Sequence, residues 1–175
     1  MSIALSELSA VAAHVEAAMR LHADLHPALS EARPNFERGS YQTAVFEATR
    51  QVEIRVRDLA HLGPDTYGVT LMHTAFNLEN GPLATEEVTA ERTAIAALFA
   101  GTIGAFKNAS ARRVVHFDDP SEAANIIHLD DFLIRIAERS AGHTICVASA
   151  SLMWVAPWRA DRSATPPGFV GGTSS

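Results

Sequence analysis

One cysteine in 175 residues, Cys146, excludes an intramolecular disulfide and any cysteine-rich zinc site. Aromatic residues are sparse at 7% while hydrophobic residues reach 47%. That balance of Ala, Leu and Val favours helix packing over an aromatic-rich sheet. The apolar stretch from Thr144 to Pro157 is shorter than the run of about 20 residues that a bilayer-spanning helix needs, so no membrane partner is expected. The basic start and apolar run of a signal peptide are missing, which makes the cytoplasm the expected location. Walker loops, dinucleotide fingerprints and nucleophile elbows are absent, and Gly101-Thr-Ile-Gly104 is too short a glycine pattern to replace them. The sequence calls for no cofactor. His22 and His26 stand four apart beside Asp24, but Pro27 interrupts that helix and no third ligand is defined, so no metal site is expected either.

Lysine is as scarce as cysteine, and the single one, Lys107, lies in the most unusual stretch of the chain. The formal net charge is -6, which argues against a broad nucleic-acid-binding face. Residues 91–116 invert that balance, with Arg92, Lys107, Arg112 and Arg113 against Glu91 alone. The flanks are acidic on both sides. A confined basic spot suits a small phosphate-containing ligand or one RNA segment better than a long duplex, although a solvated loop paired with neighbouring acids gives the same pattern.

Helical periodicity dominates the rest. Residues 4–23 carry Leu5, Leu8, Val11, Val15 and Met19 at steps of three and four, a stripe that asks for a partner face. A short helix is expected from Pro27 towards Phe36. The clearest helix opens at Gly39-Ser40, with Ser40 as N-cap, and runs through Ala44, Val45, Ala48, Val52, Val56 and Leu59 to a stop at Leu62-Gly63-Pro64. Glu53 and Arg57 on it read as a surface pair with the acid first. Further helices are expected over Tyr67–Phe76, from Glu86 or Glu91 through Phe106, and from Pro120 through Ile136. Gly101 and Gly104 within one of them suggest a close helix crossing. No strand pattern competes before Gly142. The expected architecture is an all-α helical bundle over residues 1–140, followed by a C-terminal extension, 141–175, that is apolar and then Pro/Gly/Ser-rich and poorly ordered.

Three segments carry a resemblance: Gly39-Ser-Tyr-Gln-Thr-Ala-Val-Phe-Glu-Ala48 with Val52-Glu-Ile-Arg-Val-Arg-Asp58, then Leu71-Met-His-Thr-Ala-Phe-Asn77 with Gly81-Pro82, then Leu98-Phe-Ala-Gly-Thr-Ile-Gly-Ala-Phe-Lys-Asn108. Their order and wording resemble the Ymh-type bacterial and phage proteins of unknown function, grouped with the HEPN superfamily, over about residues 25–139. The resemblance implies a compact helical bundle, a homodimer, and membership of a superfamily rich in metal-independent ribonucleases of defence and toxin systems. Its motif implies a basic residue, Asn, Pro, two residues, His and Arg. Lys107 takes the basic position, Asn108 matches, Ala109 replaces the proline, Arg112 occupies the histidine position and Arg113 matches. His116 lies four residues beyond that position.

Metal-free RNA cleavage needs a proton carrier and a cation for the developing charge on phosphorus. Histidine suits the first task, and arginine, always charged, suits the second. With Arg112 in the histidine position, the expected function is an RNA- or phosphate-contacting protein, non-catalytic or degenerate in its nuclease motif, using Lys107, Arg112 and Arg113. Two alternatives stay open: an endoribonuclease with Lys107, Asn108, Arg112 and His116 as its catalytic set, or a self-associating domain that binds a protein partner and has no nucleic-acid role.

Overall fold

The computed structural model describes residues 2–22, 25–84, 88–108 and 117–154, with side chains described within 7–21, 25–84, 88–107 and 117–142. Among them the periodicity becomes six α-helices: α1 (Ser2–His22), α2 (Ala32–Glu37), α3 (Tyr41–Leu59), α4 (Gly68–Ala75), α5 (Thr89–Thr102) and α6 (Pro120–Trp154). A 3-10 turn, Pro27–Leu29, precedes α2, and α5 passes directly into a π-helical turn, Ile103–Asn108. The described residues contain no strand, so the chain is the all-α bundle that its sequence suggests.

Helix α3 forms because its apolar residues recur every three or four positions, and Ala44, Val45, Ala48, Val52 and Val56 are all fully buried. Ser40 stands at its N-cap, but the hydroxyl makes no capping hydrogen bond. Gly39 turns the chain into the helix at φ 76°, a conformation that costs glycine little. The stop is made differently from the expectation. His61, not Gly63, takes the left-handed conformation, at φ 52°, and the Leu62 N–H then donates back to the Arg57 carbonyl at 3.1 Å.

Helix α6 lies along α3 in the same sense, with Asp130 against Thr49 and Glu138 against Arg55. Its inward side buries Ala123, Ala124, Ile127, Leu133, Ile134 and Ala137. Asp119 caps its start by accepting the Ser121 N–H at 2.8 Å. The helix continues past Ser140 to Trp154, so position 140 is not a break in the backbone. Residues 155–175, with Trp158 and the Pro/Gly/Ser-rich stretch, lie outside the described residues.

Helix α1 runs beside α6, where Arg20 donates to Asn125 at 2.7 Å and the N–H of His26 donates to Asp131 at 2.6 Å. The side it turns inward is the one carrying Ala17 and Leu21. The stripe of Leu8, Val11, Val15 and Met19 faces away from the bundle. On the other flank, α4, α5 and the π-helical turn bury Leu71, Met72, Phe99 and Ile103. Gly101 and Gly104 do not mark the expected close crossing: an added Cβ at Gly101 would meet nothing within 4 Å, and at Gly104 only Val69 Cγ2 at 3.7 Å. Gly81 is the glycine that space demands, since a Cβ there would collide with the backbone of Asn77.

The α3–α6 seam is not wholly apolar. Thr49 Oγ1 lies 2.9 Å from both the Val45 carbonyl and Asp130 Oδ2, and a hydroxyl has one proton to give. Burial pushes the Asp130 carboxyl well above the usual carboxylate range, opposed by the smaller effect of the Thr49 hydrogen bond. A protonated Asp130 resolves the count, donating to Thr49 while Thr49 donates to Val45. Asp130 Oδ1 has no hydrogen-bond partner among the described residues.

Candidate functional site

Lys107 reaches its position through an irregularity of the backbone. Helix α5 widens over Ile103–Asn108 into a π-helical turn, a distortion found mostly as a single turn and frequently at functional sites. The turn keeps Ile103 in the core and leaves Phe106 and Lys107 partly exposed. From there the Lys107 ammonium meets the carboxylate of Glu53, Nζ to Oε2, at 2.5 Å.

Glu53 is the centre of the arrangement. It lies on the inward side of α3, one turn after Thr49, and is buried. The Arg57 guanidinium donates to its Oε1 at 2.7 Å, and the N–H of Gly68, the first residue of α4, donates to Oε2 at 3.1 Å. Arg57 Nε also donates to the Thr66 carbonyl at 3.1 Å, which fixes the guanidinium against the α3–α4 connection. One buried carboxylate thus gathers two cations and a helix N-terminus, each of which favours its negative charge. Two cations against one carboxylate leave the cluster net positive. Lys107 and Arg57 each keep about a fifth of the side chain exposed, at 19% and 21%, so both retain access to solvent.

The structure therefore joins Lys107 to two residues that the spacing alone did not connect with it. Glu53 and Arg57 are an i,i+4 pair, as the sequence suggests, but Glu53 is buried rather than on the surface. The signal for this was present: an acid one turn beyond Thr49 and between Val52 and Val56 falls on the apolar stripe, where an unpaired charge is costly. Of the other candidates, Asn108 ends the π-helical turn and its side chain lies outside the described residues, as do Arg112, Arg113 and His116. The chain leaves Lys107 directly into the stretch that carries them.

Other polar groupings serve packing. Arg55 grips Glu138 through Nε at 2.9 Å and Nη2 at 2.6 Å, and His26 Nε2 lies 3.3 Å from the same carboxylate. His14 Nδ1 lies 2.7 Å from the Tyr41 hydroxyl, with the imidazole stacked on Phe36. Burial, and then the nearby Asp119 carboxylate, push the Tyr41 phenol up. The groove beside the π-helical turn, lined by Phe106, Ile126 and Leu129, also presents Asp119 and Glu122, acids that disfavour a phosphate there. Among the described residues no group of three or more metal-ligating side chains occurs, and no helix is long and apolar enough to cross a membrane.

A family model described as a protein of unknown function, Hypoth_ymh, matches residues 21–136. No curated protein and no solved structure gives a match.

Proposed function

The chain belongs to the Hypoth_ymh family, and from that premise we propose that it is a HEPN-like, self-associating protein of a prokaryotic defence or toxin-type system that contacts RNA phosphate without cleaving it. The observation that carries this reading is the pairing of Lys107 with buried Glu53 at 2.5 Å. An ammonium held on a carboxylate is fixed in place, which suits it to present its donors to a phosphate. Its remaining hydrogens, with the partly exposed Arg57, offer donors where the chain enters the stretch of Arg112 and Arg113. With arginine at position 112, the histidine that would move a proton is missing from the place the resemblance assigns it.

The test is fluorescence anisotropy of a short single-stranded RNA with the full chain in EDTA, with the same mixtures run on a denaturing gel. The wild type is expected to bind without cutting. Lys107→Ala and the double variant Arg112→Ala/Arg113→Ala are each expected to weaken binding by about tenfold and to flatten its salt dependence. Absence of binding would sink the reading. Cleavage that disappears in His116→Ala would replace it with the endoribonuclease alternative.

A further inference from the structure

The surface that the loop reading leaves unused is the outward side of α1. Leu8, Val11, Val15 and Met19 are 66%, 61%, 49% and 68% exposed and share one side of the helix, opposite Ala17 and Leu21. Residues 7–12 are exposed throughout, so this part of α1 stands clear of its own bundle. An isolated helical segment of that length has little stability in water. A contiguous apolar stripe of this kind matches the largest patch on a typical monomer, one that is often functional.

Three occupants compete for it. Helix α6 itself is badly placed, because it runs in the same sense as α1 and carries Trp154 about 40 Å beyond Asn125, the residue that meets Arg20. The stripe extends from Arg20 in the opposite direction. A lipid surface fits poorly, since the stripe is edged by Glu7, Glu16 and Arg20 and lacks the basic face of an interfacial helix. A second copy satisfies the requirement of area. The four side chains present about 400 Å², so two stripes face to face, with Ser9, Ala12 and Glu16 at their edges, bury about 1,000 Å², the lower bound of a specific interface.

We infer that α1 is the face on which a second copy of this chain packs, antiparallel, about a two-fold axis. This deepens the self-association in the function proposed above and rests on it. In the antiparallel sense Leu8 meets Met19 of the second copy and Val11 meets Val15. The Glu7 end of one helix then lies beside the Arg20 end of the other, and the helix dipoles oppose. A parallel pair would bring like ends together.

Sedimentation velocity of the full chain at micromolar concentration tests the surface, and cysteine cross-linking tests the direction. The wild type is expected to be a dimer. Val11→Glu/Val15→Glu is expected to weaken association by about 100-fold or more while circular dichroism stays that of the wild type, because both side chains are exposed in the bundle. In a Cys146→Ser background, a mixture of Leu8→Cys and Met19→Cys chains is expected to form the mixed disulfide, and Leu8→Cys alone to form none. A monomeric wild type overturns self-association and this face together. A dimer that persists in the double variant overturns the face alone, and Leu8→Cys chains that link to each other overturn the antiparallel arrangement.

Discussion

Helices α1 and α3 carry the same signature in sequence, an apolar stripe repeating every three or four residues, and meet opposite fates. The stripe of α3 is fully buried at Val45, Val52 and Val56, whereas that of α1 faces outward at Leu8, Val11, Val15 and Met19. The helix that buries its stripe also carries two of the bundle's buried polar groups, Thr49 and Glu53, while the exposed stripe contains none. Periodicity therefore reports that a helix has an apolar side, and the rest of the chain decides whether that side is used at home.

The comparison can be broken most forcefully by placing a charge on each stripe. Val52→Asp puts an unpaired carboxylate in the core and is expected to cost about 4 kcal/mol or more, measured by urea denaturation. A loss below about 1 kcal/mol would show that α3 is not the buried helix described above. Next in size is Glu53→Ala, which leaves Lys107 and Arg57 without their shared carboxylate. It is expected to cost about 3 kcal/mol and to increase exchange of the Gly68 amide, read by hydrogen exchange.

Asp130→Asn is a smaller change with a definite sign. Burial holds the Asp130 proton in the folded chain at pH values where the unfolded chain has lost it. Stability therefore falls as pH rises from about 4 up through the folded value, and the amide variant escapes that slope. Urea midpoints measured from about pH 4 to 8 should diverge in favour of the variant, by about 1 kcal/mol at the upper end, and parallel curves would refute a buried neutral acid. The least effect is expected from Val15→Asp on α1. At concentrations where the chain is monomeric its stability should stay within about 0.5 kcal/mol of the wild type, against the large loss at Val52.

Much of the fold was legible because stripes, prolines and turn residues act locally. Pro120 opens α6, Ser40 precedes α3, and the α4 helix falls within the expected Tyr67–Phe76 span. What stayed hidden depends on partners distant in sequence. His61 takes the left-handed conformation in place of a neighbouring glycine because the Arg57 carbonyl and the Leu62 N–H close around it. The orientation of α1 is set by Arg20, Ala17 and Leu21 against α6, weak signals beside four large apolar residues. At the candidate site Lys107 stood out by its rarity, but its attachment to Glu53 spans 54 positions and no spacing rule reaches that far. The motif comparison could match residue types from Lys107 to His116 and not their environment, which Glu53 supplies for the first of them.

The π-helical turn at Ile103–Asn108 has one further consequence. Such a turn amounts to an α-helix with an extra residue accommodated, so Lys107 stands on a side that ordinary winding would not give it. Wound as an ordinary α-helix with every residue kept, the segment would turn Lys107 by about 100° around the axis, away from Glu53, whereas deleting the exposed Ala105 would remove the extra residue and keep Lys107 on its present side. The bearing of the only lysine thus depends on the phase of a single residue count.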